Sequence, residues 1–309
     1  MNLDKLIRPN IKRLKPYASA RDEYQGKSQD MIFIDANENP FPTNVNRYPD
    51  PHQRLLKLEL ARLKKVEPEQ ILLGNGSDEI LDLIFRAFCE PKVDNVITLP
   101  PTYGMYEVLA NINDIDILEV PLLKNFEPNT NKVLNTFNNH SKLLFLCSPN
   151  NPTANSFNAK SVEELIENFP GIVVIDEAYI DFSSKESWLN RLNEYPNLVV
   201  TQTYSKALGM AGIRLGVCYA SDAIISVLTS IKPPYNVNVL TQQLALQKLE
   251  DIRYVESDIE NILNERAQLI LQLQDISFVD FIFPSDANFI LVKVDDANKR
   301  YDQLIQKGI

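Results

Sequence analysis

The sequence contains few of the side chains that build metal sites and disulfide frameworks. It has two histidines, His52 and His140, and three cysteines in 309 residues. Cys89, Cys147 and Cys218 lie far apart, and none belongs to a Cys-x-x-Cys pair. We therefore predict buried thiols in a reducing compartment, without a disulfide or a metal ion. So few histidines also leave no obvious base for a Ser/His/Asp hydrolase.

Long apolar runs and an excess of positive charge are also missing. No segment approaches the length that crosses a membrane, and residues 1–17 carry basic side chains without the apolar core of a signal peptide. The net charge of −10 argues against a general nucleic-acid binder, because phosphate backbones attract basic surfaces. We expect a cytoplasmic protein that acts on small molecules and has neither a membrane nor a nucleic-acid partner.

Short apolar runs alternate with amphipathic segments from about residue 70 onward. The runs, which we predict to be strands, are 71–73, 95–99, 115–120, 143–147, 172–175, 198–201 and 215–219, and the predicted helices are 78–89, 103–110, 162–169 and 223–231. This alternation favours an α/β fold with a mainly parallel sheet and helices on both faces. Ligands of such sheets bind at the carboxyl ends of the strands.

The pattern changes after Pro233 and Pro234. One long bent helix over 241–273 and strands over 278–283 and 289–294 are predicted there. We expect a large domain over 46–234 and a smaller discontinuous α+β domain from 1–45 and 235–309. The chain stops after the last predicted helix, where a new strand is expected, so we expect a truncated C-terminus.

Glycine is scarce, and most of the glycines fall in clusters. There are nine in the chain, well below the usual share of about 7%. Gly74 and Gly76 stand between a predicted strand and a predicted helix, with Ser77 as the expected N-cap. Free N–H groups at such a helix start bind anions, although this motif taken alone is better explained as a simple cap.

A second cluster surrounds a lysine. Thr203 and Ser205 follow the end of a predicted strand, Lys206 comes next, and Arg214 precedes the next strand. Hydroxyls and a guanidinium are suited to phosphate, and a lysine at a strand end could form a Schiff base. The alternative is an ordinary solvated lysine in a loop.

Two further motifs stand at strand ends. Residues 148–153 (SPNNPT) form a stretch stiffened by two prolines, and Asp176 ends a run of apolar residues. A buried carboxylate is costly unless it is paired. Asp176 could cap a helix or form a salt bridge, or it could pair with a protonated ring nitrogen.

These motifs together resemble the fold-type-I pyridoxal-phosphate enzymes. The resemblance rests on SPNNPT, on DEAY (176–179) and on SKALGMAGIRLG (205–216), in the order and spacing of that family. Further segments are similar to histidinol-phosphate aminotransferases, from about Leu6 to the end of the chain: KPYASARDEY (15–24), IDANENP (34–40), NRYPDP (46–51), GNGSDE (74–79), RAFCEP (86–91) and PPTYGMY (100–106).

The resemblance implies a set of roles around pyridoxal 5'-phosphate. Lys206 would form a Schiff base with the cofactor and act as the general base, and Asp176 would keep the pyridine nitrogen protonated. Tyr179 and Asn151 would bind the ring hydroxyl, and Tyr103 would stack on the ring. The resemblance assigns the catalytic role to Lys206, Asp176 and Tyr179.

The resemblance also implies contacts to the phosphate and the substrate. The residues that would surround the cofactor phosphate are Ser77, Asp78, Thr203, Ser205 and Arg214. Tyr48 would reach the cofactor of a partner subunit, so a homodimer is implied. Tyr17 and Asn37, together with Asn151, would lie near the substrate.

The implied reaction converts L-histidinol phosphate and 2-oxoglutarate to imidazole-acetol phosphate and L-glutamate, in histidine biosynthesis. The sequence departs from the family at Ala154, where a glycine is usual, and it ends before the segment whose arginine holds the anionic group of the substrate. Cofactor binding is therefore expected more firmly than turnover. The sequence is also compatible with three other functions: an aromatic aminotransferase, a threonine-phosphate decarboxylase, or a non-catalytic protein that binds the cofactor or a partner.

Overall fold

A seven-stranded sheet forms the centre of the computed structural model, which describes residues 2–16 and 33–309. Its strands are β1 (Ile71–Asn75), β2 (Asn95–Thr98), β3 (Asp116–Glu119), β4 (Ser141–Cys147), β5 (Ile172–Asp176), β6 (Leu198–Thr203) and β7 (Leu215–Ala220). Their order across the sheet is β1-β7-β6-β5-β4-β2-β3. Each of the seven corresponds to a strand predicted from the sequence, with ends that differ by one or two residues.

The sheet is mainly parallel, as predicted, but β7 runs against its neighbours. The strands from β6 to β3 are parallel, whereas β7 pairs antiparallel with both β6 and β1. Parallel neighbours need a crossover of about a dozen residues or more, usually a helix. Between Thr203 and Leu215 there is only a short loop with one helical turn, Ala211–Ile213, so the chain must return antiparallel.

Helices cover both faces of the sheet. They are α1 (Leu3–Leu6), α2 (Pro9–Lys12), α3 (Arg54–Lys64), α4 (Ser77–Phe88), α5 (Met105–Ile112), α6 (Thr130–Thr136), α7 (Ala159–Asn168), α8 (Asp222–Ile231), α9 (Val239–Glu250), α10 (Ile252–Gln274) and α11 (Ala297–Gln306). The expected long helix is two helices that meet at Asp251. Helices α1, α2, α3 and α6 have no counterpart among those predicted, whereas α11 is the helix expected before the end of the chain. No helix of the described residues is long and apolar enough to cross a membrane.

Two apolar cores lie on opposite faces of the sheet. Val173 and Ile175 of β5 belong to one core, and Ile172 and Val174 belong to the other. All four side chains are fully buried. A strand buried on both faces has no polar positions to alternate with, which is why these strands appear in the sequence as continuous apolar runs.

The C-terminal part of the chain touches the loops at one edge of the sheet. It contains a two-stranded antiparallel sheet of β8 (Val279–Ile282) and β9 (Val292–Val294). The N–H of Asp286 donates to the carbonyl oxygen of Ala154 at 2.7 Å, and the Phe289 ring meets the Tyr179 ring edge-on with centroids 5.2 Å apart. The division into two domains stays a prediction.

Candidate active site

A cavity of about 230 Å³ lies at the carboxyl edge of the central sheet. It is lined by Ser77, Asp78, Tyr103, Cys147, Asn151, Asp176, Ala178, Tyr179, Thr203, Ser205, Lys206, Ala211 and Arg214. These side chains come from the ends of β4, β5 and β6, the start of α4 and the loop before β7. Apart from Tyr48, every residue that the resemblance placed at the cofactor lines this one cavity.

Asp176 is the most buried charged group of the cavity, with 3% of its surface exposed. Its Oδ2 accepts a hydrogen bond from the hydroxyl of Tyr106 at 2.9 Å, and its Oδ1 accepts one from the N–H of Ala178 at 3.2 Å. Burial raises the pKa of Asp176, and these two hydrogen bonds and the nearby Thr201 side chain oppose the rise. No lysine or arginine of the described residues forms an ion pair with it. The site therefore holds a carboxylate that lacks a cation.

Tyr106 has no role among those predicted from the sequence, although it lies in the PPTYGMY motif. Its side chain is fully buried, and its ring stacks on Phe145 with centroids 4.8 Å apart. The edge of the same ring meets Tyr103, which lines the cavity, at 5.6 Å. The signal available in the sequence was the spacing of three residues from Tyr103, which puts both rings on one side of a helix start.

Lys206 stands in the loop that follows β6. The loop is closed by hydrogen bonds from Gly209 N–H to the Lys206 carbonyl oxygen and from Met210 N–H to the Tyr204 carbonyl oxygen, each 3.0 Å long. Gly209 has a φ of +68°, which glycine adopts without strain. The Lys206 Nζ lies 5.3 Å from the centroid of the Tyr179 ring. The lysine side chain is thus directed along the wall that Tyr179 forms.

The two glycine clusters meet beside Arg214. Gly76 has a φ of +83° and occupies the N-cap of α4, so Ser77 is the first helical residue and not the cap that the sequence predicted. A Cβ on Gly76 would lie 2.7 Å from a terminal nitrogen of Arg214, and a Cβ on Gly216 would collide with the Ser77 backbone. Only glycine fits at either position. This packing brings the guanidinium to the start of α4, where unpaired N–H groups favour an anion.

Asp78 connects the arginine to the aromatic wall. Its Oδ1 accepts a hydrogen bond from the hydroxyl of Tyr103 at 3.1 Å, and its Oδ2 lies 3.9 Å from the Arg214 guanidinium. A carboxylate repels an anion, so the Asp78 side chain orients these two neighbours. Only its backbone N–H is suited to contact a phosphate directly.

The SPNNPT loop is held by a residue that the sequence analysis did not single out. Asn150 is fully buried, and its amide donates to the Pro101 carbonyl oxygen at 2.9 Å and to the Thr153 hydroxyl at 2.7 Å. Its carbonyl oxygen accepts a hydrogen bond from the Thr102 hydroxyl at 3.0 Å. Asn150 therefore joins the two loops that carry Tyr103 and Asn151 into the cavity.

Ala154, which stands where the family resemblance predicts a glycine, has the left-handed backbone conformation. Its φ is +66°, and its side chain is fully buried against Tyr179, Ala207 and Ala287. The turn keeps its hydrogen bond from Ala154 N–H to the Asn150 carbonyl oxygen at 2.7 Å. The alanine therefore adopts the conformation that a glycine would take.

The structure does not bring Tyr48 and Asn37 into this cavity. Both line a separate cavity of about 550 Å³, formed by residues 36–39, 45–49 and 238–240. The Tyr48 ring stacks on Tyr235 with centroids 4.5 Å apart, and about half of its surface is exposed. Tyr17, the third residue expected near the substrate or the partner subunit, lies outside the described residues.

The fold and the cavity are those of an α/β enzyme with a lysine, a buried acid and an arginine beside a helix start at the carboxyl edge of its sheet. The model of the aminotransferase class I and II family matches residues 25–309, and the chain belongs to this family.

Named relatives agree with this assignment. A histidinol-phosphate aminotransferase of Flavobacterium johnsoniae is 59% identical over 309 residues, which are 100% of this chain and 88% of that protein. The crystal structure of the histidinol-phosphate aminotransferase from Clostridium acetobutylicum is similar with a TM-score of 0.78 and 25% identity, over 86% of this chain and 80% of that one. A Sinorhizobium meliloti histidinol-phosphate aminotransferase in complex with pyridoxal-5'-phosphate has the same fold, with a TM-score of 0.78 and 23% identity over 85% of this chain and 72% of that one.

Proposed function

We propose that this chain is a pyridoxal-phosphate-dependent aminotransferase that converts L-histidinol phosphate and 2-oxoglutarate to imidazole-acetol phosphate and L-glutamate, in the histidine biosynthesis of the cytoplasm. The observation that carries the chemistry is the meeting of Lys206, Asp176 and Arg214 in one cavity. The name of the relative that is 59% identical over the whole chain supports the substrate.

The residues of the cavity fit the cofactor at two points. Asp176 is a buried carboxylate without a cationic partner among the described residues, and a protonated pyridine nitrogen is such a partner. At the other end, the Arg214 guanidinium, the hydroxyls of Ser77, Thr203 and Ser205 and the start of α4 suit a phosphate.

When bound, pyridoxal phosphate supplies a conjugated ring that withdraws electrons from the carbon that loses its proton. Asp176 would keep the ring nitrogen protonated, which would make this withdrawal effective. Lys206 would hold the cofactor through its Nζ. With the substrate amine in its place, the same Nζ would act as the base that takes the proton from the α-carbon of the substrate and returns it to the carbon of the cofactor.

The remaining side chains orient the reactants. Tyr179 and Asn151 bind the ring hydroxyl, and Tyr103 covers one face of the ring. Asp78 contributes its backbone N–H to the phosphate and holds Tyr103 in place. Prepositioned groups of this kind lower the entropic part of the barrier.

We propose a homodimer in which Tyr48 reaches the cofactor phosphate of the partner subunit. Its cavity shares no lining residue with the cofactor cavity of the same chain, so we assign its contact to the cofactor of the partner subunit. Phe41, Val45 and Leu240 are exposed around it, as expected for a surface that a second copy covers. Asn37, in the same cavity, and Tyr17 are proposed to approach the substrate.

The test is the visible absorption spectrum of the purified chain with pyridoxal phosphate, before and after L-histidinol phosphate is added. We expect a band of the lysine-bound cofactor that converts to the pyridoxamine form. L-phenylalanine serves as the competing substrate, and O-phosphothreonine serves as the substrate of the decarboxylase alternative. Faster conversion by either one would refute the substrate assignment.

Lys206→Ala is the matched control for the spectrum. Because no other residue is proposed to bind the cofactor covalently, this variant should lose both the band and turnover. A chain that binds the cofactor but never converts it would be the non-catalytic alternative. Turnover by the variant would exclude the role of Lys206.

A further inference from the structure

The hydroxyl of Tyr106 is the closest side-chain donor to the acid of the cofactor cavity. It donates to Asp176 Oδ2 at 2.9 Å, and both groups are buried. We propose that Tyr106 is a positioning residue that fixes the plane of the Asp176 carboxylate for its contact with the ring nitrogen of the cofactor. The proposal rests on the proposed function.

The two oxygens of the carboxylate are held from two different elements. Oδ2 is bound by the side chain of Tyr106 on α5, and Oδ1 is bound by the N–H of Ala178 beyond β5. One donor on each oxygen fixes the rotation of the carboxylate about its last bond. Loss of either donor frees that rotation and leaves a buried oxygen without its partner.

Tyr106 is itself held rigidly. Its ring stacks on Phe145 of β4, which in turn stacks on Phe85 of α4 with centroids 5.1 Å apart. Tyr103 closes the remaining side, edge to face. Burial raises the pKa of Tyr106 well above its ordinary value, so the hydroxyl keeps its proton and remains a donor near neutral pH.

Other titratable groups face the same carboxylate. They are Asp78 on α4, Cys147 at the end of β4, and Tyr103 and Tyr179 in the neighbouring loops, with Lys206 and Arg214 in the same cavity. Burial raises the pKa of Cys147, Tyr103 and Tyr179, so these three stay neutral near pH 7. A pH-dependent effect of changing Tyr106 must therefore be assigned to Asp176 and not to Asp78, and combining Tyr106→Phe with Asp176→Asn makes that assignment.

The first measurement uses the full chain without cofactor and follows urea unfolding from pH 5 to pH 8.5. Tyr106→Phe keeps the stacked ring and removes only the hydroxyl. A hydrogen bond to an ionised carboxylate is stronger than one to its protonated form, so the cost of the variant should grow as pH rises. We expect the unfolding constant to rise by about 10- to 100-fold at pH 8.5, and by less than about 10-fold where Asp176 is protonated.

Two matched variants separate this effect from packing. Tyr204→Phe makes the same change at a buried tyrosine whose hydroxyl has no hydrogen-bond partner among the described residues, so its cost should be small and independent of pH. In the Asp176→Asn background, the pH-dependent part of the Tyr106→Phe effect should disappear. A cost that is equal at all pH values, or that survives in that background, would overturn the proposed bond.

The second measurement uses the protein loaded with pyridoxal phosphate. We expect Tyr106→Phe to lower kcat by about 10-fold or more with little change of KM, because the carboxylate acts on the reacting ring and not on substrate binding. A wild-type cofactor band together with an unchanged kcat in the variant would refute the role of Tyr106 alone. A wild-type chain that forms no band would refute the proposed function, and the positioning role with it.

Discussion

Replacing Ala154 by glycine should change the stability very little, although glycine is the usual residue at this position. The φ of +66° strains an alanine by about 1–2 kcal/mol, and glycine relieves that strain. The same change removes a fully buried methyl group, which costs about 0.8 kcal/mol, and loosens the unfolded chain by about 0.4–1 kcal/mol. These effects nearly cancel, so the free energy of unfolding should change by less than about 1 kcal/mol.

The control for this prediction is Ala287→Gly. Ala287 is equally buried in the same cluster, and its φ is not positive, so glycine there relieves no strain. Ala287→Gly should lower the free energy of unfolding by about 1–2 kcal/mol. The difference between the two variants, measured from urea unfolding midpoints, isolates the left-handed strain. If both variants lose the same stability, alanine is not strained at 154 and the reasoning fails.

Three further outcomes are expected. Without cofactor, Asp176→Asn should be more stable than the wild type. Burial raises the pKa of the folded carboxyl, so folding opposes its ionisation, and the difference in free energy of unfolding should grow as pH rises above about 4. Unfolding midpoints measured across pH test this. Arg214→Lys should weaken pyridoxal-phosphate binding by about 10-fold in a fluorescence titration, whereas Arg191→Lys, paired with Glu163 and Glu194 away from the cavity, should not. Mixing inactive Lys206→Ala and Tyr48→Ala chains should restore activity, because a hybrid dimer has one site in which Lys206 of one chain meets Tyr48 of the other. A mixture that stays inactive would contradict the partner role of Tyr48.

Much of the cavity lining could be found from the sequence because its residues follow strands. Asp176 comes directly after a buried apolar run, and Lys206 and Arg214 stand in the loop between two others. Parallel strands bring their carboxyl ends to one edge, so residues distant in sequence meet there. The family motifs then singled out the same positions.

Other features could not be found in this way. Apolar runs carry no information on strand direction, so the antiparallel β7 became visible only with the sheet. Tyr106 and Asn150 act through contacts to residues about 50 or 70 positions away, and the sequence does not show these partners, although the spacing of Tyr106 from Tyr103 places both rings together. The N-cap of α4 is Gly76 and not Ser77, because the backbone there has a positive φ that glycine adopts without strain.

The antiparallel direction of β7 has a consequence for how the site can vary. Because β6 ends and β7 begins at the same edge, one short loop carries Lys206 near its start and Arg214 at its end. The two residues that we propose to hold the covalent end and the anionic end of the cofactor therefore belong to a single stretch of backbone. The length of this loop sets the distance between Lys206 and Arg214. Inserting or deleting one residue would shift these two side chains relative to each other, so we expect the loop length to be constrained as tightly as the side chains.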